Sequence, residues 1–388
     1  MVKSAQTWAG GLRDGGPHGS RPQDRRKQFS IRACLSAIGV LILTGCGSGS
    51  GDRKVDGKKP AAVHEAKGQV QECKCPYALQ DVFFLSRETL PVGAKLPEPA
   101  KWAEIEGRVG FVVATNSTIM KTVNGGKTWR CVAEGKKGTP DLKRIHFLSP
   151  SEGWAVGREI ALYTNDGGET WTPAPPLPGI VPYFGSGTAT ATSFFQAKPP
   201  TCGANIYRAE GDGQVWKDFC EQPRNDFSII FFLDDLHGWM AGNHGLFAIT
   251  EDGGKTWLSK DLPGGENIVM MQFVSPQTGW LKPMRSTGVL ATTDGGKTWE
   301  AKNASLATQW GVPDMQFLDE KVGFLLVSVE TGAITQVMRT MDGGSTWEII
   351  GKHNVDLVAM SFIDANHGWV MAPNGCLFHY DLGPVAAE

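Results

Sequence analysis

The chain has 388 residues, with 38 Lys and Arg against 40 Asp and Glu, so its formal net charge is only −2. A chain this close to neutral lacks the basic surface that phosphate binding requires, and we therefore expect no nucleic-acid partner. The repeat region described below has no helix-period apolar stripes, and the 49 Gly and 23 Pro residues also disfavour helices.

The first 46 residues have the layout of an export signal. Basic residues, among them Arg25, Arg26 and Arg32, precede an apolar run over 33–43 that is too short for a permanent membrane span. The run ends in Leu-Thr-Gly-Cys46, which resembles a bacterial lipobox, so we expect cleavage and acylation at Cys46. Cleavage without a lipid is the alternative. Residues 1–45 hold seven basic and two acidic residues, so their removal changes the net charge from −2 to about −7.

Residues 47–75, rich in Gly, Ser, Lys and Ala, are predicted to form a flexible tether, and residues 76–388 the folded domain. This organisation predicts an exported lipoprotein that is anchored to a lipid bilayer through its acylated N-terminus. We expect it on the periplasmic or outer face, or in the thylakoid lumen if the organism is photosynthetic.

An octapeptide of the form Thr-x-Asp-Gly-Gly-x-Thr-Trp, the Asp box, recurs through the domain. Intact copies occupy residues 122–129, 164–171, 250–257, 292–299 and 340–347, and a degenerate copy at 210–216 keeps the second Gly and the Trp. The six tryptophans are 42, 45, 41, 42 and 48 residues apart. A period of this length indicates one supersecondary unit per repeat.

A second motif, Gly followed by Trp or Phe, runs in phase with the box. Its copies are Gly110-Phe111, Gly153-Trp154, Gly238-Trp239, Gly279-Trp280, Gly323-Phe324 and Gly368-Trp369. An apolar run usually precedes it, so each unit reads as four short strands joined by turns. The pattern predicts an all-β fold, a single seven-bladed β-propeller with four-stranded antiparallel blades and Asp-box hairpins.

The last unit, residues 357–380, has a Gly-Trp strand but no box after it. A closed ring needs an outer strand there, because an open sheet edge invites further pairing. We expect a strand within residues 81–106 to supply it. Residues 81–86 resemble an inner strand and residues 102–106 an outer one, and the sequence does not decide between them.

The box has the chemistry of a structural hairpin. Its Gly-Gly pair permits positive φ angles, and its acid and Thr side chains can hydrogen-bond nearby backbone groups. One acid per copy is too few for a calcium loop, and five separated copies cannot share one catalytic centre, so no metal or cofactor is predicted. The Asp-box positions interpreted as structural are Asn124, Asp166, Asp252, Asp294 and Asp342.

The Trp that ends each box is expected to bury a large apolar surface. Replacing Trp257 or Trp299 with Ala is therefore expected to cost about 3–5 kcal/mol. His237 and His367, each just before a Gly-Trp pair, are interpreted as turn residues. Metal binding is the alternative, but no second ligand stands at a spacing typical of zinc.

Antiparallel topology places the boxes and Gly-Trp turns on one face of the ring and the irregular loops on the other. Binding residues favour variable loops on a rigid scaffold, so the candidate recognition residues are sought on that loop face. They are Arg158, His244, Arg285 and Trp310. Trp310 stands outside the repeat pattern and is the leading candidate; packing within its own loop is the alternative.

Six cysteines follow Cys46, and an even number in an exported domain favours disulfides. Cys202 and Cys220 flank the degenerate box and form a candidate pair. Cys376 lies in the closing unit, where a disulfide to Cys73 or Cys75 would lock the ring. Cys131 could then pair with whichever of Cys73 and Cys75 is left.

The paired motifs resemble the photosystem II assembly and stability factor family, seven-bladed propellers whose cyanobacterial members are thylakoid lipoproteins. The matching segments are residues 147–171, 232–257, 273–299, 317–347 and 362–375. The resemblance implies a non-enzymatic chaperone or scaffold that holds assembly intermediates of a membrane-protein complex or delivers cofactors to them, and no cofactor of its own is predicted. We expect the protein to be monomeric.

Two other functions compete with this one. The box is also similar to the repeat of sialidases and xyloglucan hydrolases, but this chain has no Arg-Ile-Pro motif, and only one propeller is predicted. A cell-surface propeller that binds a protein or glycan, in an organism without photosynthesis, is the third hypothesis.

Overall fold

The computed structural model describes residues 78–383 apart from 92, 158–159, 174–226, 263, 287, 303–310 and 331–333, and elsewhere only the backbone of seven short strands. The fold is an antiparallel β-propeller. Six blades, numbered here in chain order, have described side chains.

Each blade runs from an inner strand to an outer one. The strands of blade 1 are Leu79–Phe84, Gly110–Ala114, Thr118–Thr122 and Thr128–Ala133. Those of blade 2 are Leu142–Phe147, Gly153–Gly157, Ala161–Thr164 and Thr172–Pro173. Those of blade 3 are Phe227–Phe232, Gly238–Gly242, Leu246–Thr250 and Leu258–Asp261.

The strands of blade 4 are Ile268–Phe273, Gly279–Pro283, Val289–Thr292 and Glu300–Lys302. Those of blade 5 are Asp314–Phe317, Gly323–Glu330, Ile334–Thr340 and Glu348–His353. Those of blade 6 are Ala359–Phe362, His367–Met371, Cys376–Asp381 and, at the outer edge, Gln69–Glu72.

The prediction of seven equivalent four-stranded blades is wrong. The structure describes six blades, and blades 1 and 6 each gain a fifth strand, Gln28–Ser30 and Arg32–Ala33 respectively. Between blades 2 and 3 lies the unit with the degenerate box. Its described part is the paired backbone of Ser186–Ala189, Ser193–Lys198, Ala204–Glu210 and Val215–Gln222. That unit keeps only the second Gly and the Trp of the box, and it is not counted among the six blades.

The strand expected to close the ring was also placed wrongly. Gln69–Glu72, in the segment predicted as a tether, pairs with Cys376–Asp381 and completes blade 6. Leu79–Phe84 is instead the inner strand of blade 1. Residues 99–103, just before the expected outer strand, form a short helix with Pro at its first turn and Trp102 buried. Pro fits the first turn of a helix, where no backbone donor is needed.

The glycine of the Gly-Trp motif makes room for an aromatic ring. In every described blade the last residue of the inner strand is a Phe paired with that glycine, as Phe273 is with Gly279. A Cβ added at Gly279 would lie 2.4 Å from the Phe273 ring, far inside van der Waals contact. The motif therefore requires glycine for close packing between the two strands of one blade.

The aromatic residue after that glycine packs across to the following blade. Trp239, Trp280 and Trp369 stack on Phe273, Phe317 and Phe84, with ring centroids 3.6 Å apart in each pair. The Trp239 and Trp280 indoles also donate to the first box glycine of the following blade, both at 3.0 Å. The two repeated motifs are in phase because each Gly-Trp turn packs against the box of the next blade.

The apolar core lies between the blades. One cluster joins blades 1 and 2, another joins blades 6 and 1, and others join blade 3 to 4, 4 to 5, and 5 to 6. Among the described residues no helix is long and apolar enough to cross a membrane.

Candidate functional site

The box carboxylates are used within their own hairpins. Asp252 accepts the Thr256 N–H at 2.9 Å and its hydroxyl at 2.6 Å, while the Thr250 hydroxyl donates to Asp252 at 2.8 Å. The Gly253-Gly254 pair that follows has positive φ angles of 74° and 89°. The same carboxylate contacts recur at Asp166, Asp294 and Asp342. Asn124 keeps the pattern by donating its amide to Thr128 at 2.9 Å.

These contacts change the acidity of the box. Hydrogen bonds from the Thr256 hydroxyl and N–H lower the pKa of Asp252 to about 2. The carboxylate is therefore ionised at any physiological pH and fully committed to the turn. The box Asp residues have the environment of structural groups, and none resembles a general acid whose pKa has been raised towards neutrality.

The two histidines before Gly-Trp pairs also bind locally. The His237 imidazole contacts the Asp234 carboxylate at 2.8 Å, and His367 contacts Asp364 at the same distance. Both carboxylates also accept the backbone N–H of their histidine. Across the described residues, no three His, Cys, Asp or Glu side chains are grouped to hold a metal ion.

Two of the four candidate recognition residues lie on neighbouring turns of the loop face. His244 is exposed in the short turn Asn243–Gly245 of blade 3, and Arg285 is exposed in the corresponding turn of blade 4. Asn267 joins the turns, because its side-chain oxygen accepts the His244 N–H at 3.0 Å and its carbonyl accepts the Met284 N–H at 2.7 Å. Arg158 and Trp310 lie outside the described residues.

We call the surface formed by His244, Met284 and Arg285 the Asn267 surface. Met284 is 60% exposed, so its thioether is accessible to a partner. His244 has a φ of +57°, a left-handed conformation that costs energy for a residue other than Gly. His244, Met284 and Arg285 therefore lie together on the loop face, where a rigid scaffold presents its variable residues.

A buried lysine supports this surface from beneath. The Lys282 ammonium donates to the Pro283 carbonyl at 2.6 Å and to the Ser286 carbonyl at 2.5 Å. Burial lowers the pKa of Lys282, although Glu266 acts in the opposite direction. The two bonds fix the ends of the turn that carries Met284 and Arg285. Lys282 was not predicted from the sequence, where its signal was a charged residue in an otherwise apolar second strand.

A second set of polar residues faces the central channel, which has a cavity of about 320 Å³. Asp81 on blade 1 accepts the Ile145 N–H of blade 2 at 3.0 Å and lies 3.5 Å from Arg144. Asp314 on blade 5 accepts the Met360 N–H of blade 6 at 2.9 Å. Each carboxylate therefore joins the inner strands of two consecutive blades.

Neutral side chains make the same kind of link nearer the box face. Gln272 exchanges two hydrogen bonds of 2.7 Å with the backbone of Phe317, and Gln316 does so with Phe362 at 2.9 and 2.8 Å. Ser361 accepts the Phe84 N–H at 2.9 Å across the junction of blades 6 and 1. These side chains hydrogen-bond to backbone groups of the inner strands, which have no further strand to pair with.

Burial governs the charges of the channel. It raises the pKa of Asp81 to about 6 even though Arg144 opposes the change, and it also raises the pKa of Asp314. Burial, with the help of Arg144, lowers the pKa of His146 to about 4. These residues were not predicted as functional from the sequence. They lie three positions or one position before the Phe that ends each inner strand.

The cysteine predictions stay untested. Cys73, Cys75 and Cys202 lie outside the described residues, as does the side chain of Cys220, and so does Cys46. Cys376 is half-buried and pairs with Glu72 in the closing strand pair. Glu72 is the residue before Cys73 in the sequence. Cys131 is half-buried in the outer strand of blade 1.

Comparison with known families gives a match over more than half of the chain. The family described as "Photosynthesis system II assembly factor YCF48" matches residues 98–224 and 220–300. The chloroplastic photosystem II stability/assembly factor HCF136 of Arabidopsis thaliana is 25% identical over 300 residues. That alignment covers 70% of this chain and 72% of the relative.

Solved structures share the fold. A structure titled "YCF48 bound to D1 peptide" has a TM-score of 0.61 at 19% identity and covers 83% of this chain and 99% of its own. A GH74 enzyme of Niastella koreensis has a TM-score of 0.54 at 13% identity, over 80% of this chain and 44% of its own. At these identities the likeness shows the fold alone, and the fold serves both binding proteins and enzymes.

Proposed function

Because this chain belongs to the photosynthesis system II assembly factor family, we propose that it binds other proteins as a non-enzymatic scaffold during assembly of a membrane-protein complex. In this proposal the protein is an exported lipoprotein, held at a bilayer by acylated Cys46. The propeller then presents its loop face to partners in the same membrane.

The Asn267 surface is the observation that carries the proposal. It places an exposed Met284 beside Arg285 and the strained His244, on turns that Asn267 and Lys282 hold in place. A flexible thioether adapts to varied apolar partners, and a guanidinium pairs with carboxylates and with backbone carbonyls. Fixed turns reduce the entropy lost on binding, so a small patch of this kind can contribute to recognition.

The carboxylates that recur in the boxes, and the two buried in the central channel, are engaged in structural contacts. The box carboxylates bind their own hairpins, and Asp81 and Asp314 bind the neighbouring inner strand. This pattern favours the scaffold over a hydrolase of the sialidase type. A relative of this chain is titled as bound to a D1 peptide. We propose a peptide segment of such a membrane protein as the partner here.

Capture from membranes tests the proposal. The full chain, carrying a C-terminal affinity tag, is incubated with detergent-solubilised membranes and, separately, with a synthetic D1 peptide. The variant Met284→Ala/Arg285→Ala should lose at least about tenfold in affinity, because it removes both an apolar anchor and a charge. The matched control is Leu236→Ala/Lys255→Ala, which removes an exposed apolar side chain and a lysine on the box face of blade 3.

The control should bind like the unmodified protein. Failure of the unmodified protein to bind either the peptide or a membrane protein would refute the scaffold. Hydrolysis of fluorogenic sialosides or xyloglucan oligosaccharides, abolished by a single carboxylate substitution, would replace it with the enzyme.

A further inference from the structure

A groove opens on the box face where blade 6 meets blade 1. We call it the seam groove; its volume is about 400 Å³, which is within the range of small-ligand sites. The Arg108 carbonyl accepts the Gly125 N–H at 2.9 Å, so the first turn and the box of blade 1 form one rigid wall. Trp369 donates to the Gly125 carbonyl at 3.3 Å from the side of blade 6.

The floor and the far wall of the seam groove are apolar and aromatic. The Trp369 ring stacks on Phe84 beneath it and lies 4.9 Å from the His379 ring, with the two planes 39° apart. Ile363 is half-buried beside them. This part of the groove can accept an apolar side chain without desolvating a polar group that lacks a partner.

The polar lining carries two cations, Arg108 and Lys127, that form no ion pair with any described residue. Both side chains are exposed and make no hydrogen bond within the described part of the chain. By contrast, Lys121 contacts Glu169 at 2.8 Å, and Arg339 contacts Glu348 at 2.6 Å. Of the acids, Glu106 alone is on the described lining, where it accepts the Arg87 N–H at 3.4 Å.

The two histidines of the seam groove differ from each other. His367 is engaged on both sides, with Asp364 at 2.8 Å and Asp381 at 3.5 Å. The His379 ring nitrogens have no such contact among the described residues. Burial lowers the pKa of His379; Asp381 opposes the change, and His367 and Lys127 add to it. The lowered pKa favours the neutral imidazole, whose ring nitrogens can hydrogen-bond a ligand from the groove wall.

We propose that the seam groove binds the C-terminal carboxylate of a peptide, with Arg108 and Lys127 as the charge partners and Ile363 and Trp369 as the contact for the last side chain. Two unpaired cations beside an aromatic floor suit a group that is anionic at one end and apolar at the other. The groove is large enough for one or two residues, so it captures a chain end rather than a folded surface.

This site is separate from the Asn267 surface. The turn that holds Arg108 and the box that holds Lys127 lie on the box face, whereas His244 and Arg285 lie on second-to-third-strand turns at the opposite face. The scaffold function and the carboxylate site can therefore fail independently of each other.

Fluorescence anisotropy with the full chain tests the proposal. The probe is a fluorescein-labelled octapeptide that ends in leucine with a free carboxylate and has no acidic side chain, and its C-terminal amide serves as the paired probe. Arg108→Gln/Lys127→Gln should weaken binding of the free acid at least about tenfold, since two charge-assisted contacts are lost. The amide should bind the unmodified protein several-fold more weakly than the acid.

Lys255→Gln/Lys297→Gln is the matched control. It removes two positive charges from the same face, as the test variant does. Lys255 and Lys297 occupy the position of Lys127 in the boxes of blades 3 and 4. It should bind the acid within about twofold of the unmodified protein. Since all four side chains are exposed, both variants should keep the melting temperature, which verifies folding.

Three results would overturn the carboxylate site. They are absence of binding to the free acid, equal binding of acid and amide, and equal loss in the control variant. Competition by inorganic phosphate or by phosphatidylglycerol vesicles at concentrations where a free-acid peptide does not compete would also overturn it, in favour of a phosphate group. Capture through the Asn267 surface is measured in parallel and is expected to be unaffected by Arg108→Gln/Lys127→Gln.

Discussion

The indole of Trp280 stacks on the ring of Phe317 in the next blade, with the centroids 3.6 Å apart and the planes 3° apart. The same indole donates its N–H to the Gly343 carbonyl of that blade's box at 3.0 Å. One side chain therefore joins the second strand of blade 4 to both the inner strand and the hairpin of blade 5. An aromatic stack contributes about 0.5–1.5 kcal/mol beyond the burial of its area. We therefore expect this contact to stabilise the packing of blade 4 against blade 5.

Replacing Trp280 with Ala should cost about 3–5 kcal/mol of unfolding free energy, because Trp280 is 1% exposed and loses its stack, its hydrogen bond and its burial together. The measurement is urea denaturation followed by circular dichroism. The control is Trp299→Ala, which truncates a box tryptophan that is only half-buried. We expect a cost of about 1–2 kcal/mol there. Equal costs for the two variants would contradict this order.

This order reverses the expectation from sequence, which assigned about 3–5 kcal/mol to the box tryptophans Trp257 and Trp299. The Gly-Trp tryptophans Trp154, Trp239 and Trp280 are each 1% exposed, whereas four of the five tryptophans of intact boxes, Trp257 and Trp299 among them, are only half-buried. Trp129 in blade 1 is the exception, at 2% exposed. The box is the more regular motif, but its regularity reflects turn geometry and not depth of burial.

Gly279→Ala should destabilise the protein by more than about 2 kcal/mol, because the added methyl would lie 2.4 Å from the Phe273 ring, which cannot move away from its stack on Trp239. Thermal unfolding measures the loss. Adding Phe273→Leu to Gly279→Ala should return part of the stability by making space, so the two changes should not be additive.

The control for backbone effects is Gly264→Ala. Gly264 has a φ of +89° and open space where a Cβ would lie, so its substitution tests conformational cost alone, about 1 kcal/mol. A loss at Gly279 no larger than the loss at Gly264 would show that the Phe273 ring yields easily.

The repeats, the strand order of each unit, the positive φ of the box glycines and the face shared by boxes and Gly-Trp turns could be predicted from local sequence. These features depend on residues a few positions apart. The closing strand could not be predicted, because Gln69–Glu72 has no motif and is selected by the open edge of blade 6, some 300 residues later. His244 and Arg285 were named from the sequence as candidates on the loop face, but only the fold brings their turns to Asn267. Their role in recognition stays a prediction.

Asp252→Asn should remove part of the protein's sensitivity to acid. The pKa of Asp252 is about 2 in the folded state, lowered by hydrogen bonds from Thr256, and its unperturbed value is 3.8. A lowered pKa means that the ionised group stabilises the fold above pH 4, and that this contribution disappears as the pH falls towards 2. The melting temperature of the variant should therefore lie below that of the unmodified protein at pH 7 and approach it at pH 2–3.

Asn is the appropriate substitution because Asn124 already occupies this position in blade 1, where its amide donates to Thr128. Asp252→Ala, which removes both contacts to Thr256, should be less stable than Asp252→Asn at every pH. If the difference between the unmodified protein and Asp252→Asn does not change with pH, the carboxylate contributes nothing as an anion.

Asp81→Asn should have the opposite pH dependence. Burial raises the pKa of Asp81 to about 6, so the folded protein holds a proton that the unfolded chain has released by about pH 4. The stability that Asp81 gives is present below pH 4 and is lost as the pH rises through 6. Asn is neutral throughout and can still accept the Ile145 N–H. Its stability relative to the unmodified protein should increase between pH 4 and pH 7, on the order of 2 kcal/mol, and then stay constant.

Replacing Arg144 gives a second test of the channel, because Arg144 affects the pKa of Asp81. It opposes the rise in the pKa of Asp81 from a distance of 3.5 Å, so Arg144→Met should raise that pKa further and make stability fall more steeply between pH 4 and pH 7. Combining Arg144→Met with Asp81→Asn should abolish the steeper fall, because no ionisable group remains at either position. Urea denaturation at half-unit pH intervals resolves these slopes. A steeper fall that persists in the double variant would assign the titration to Asp314, whose pKa burial also raises.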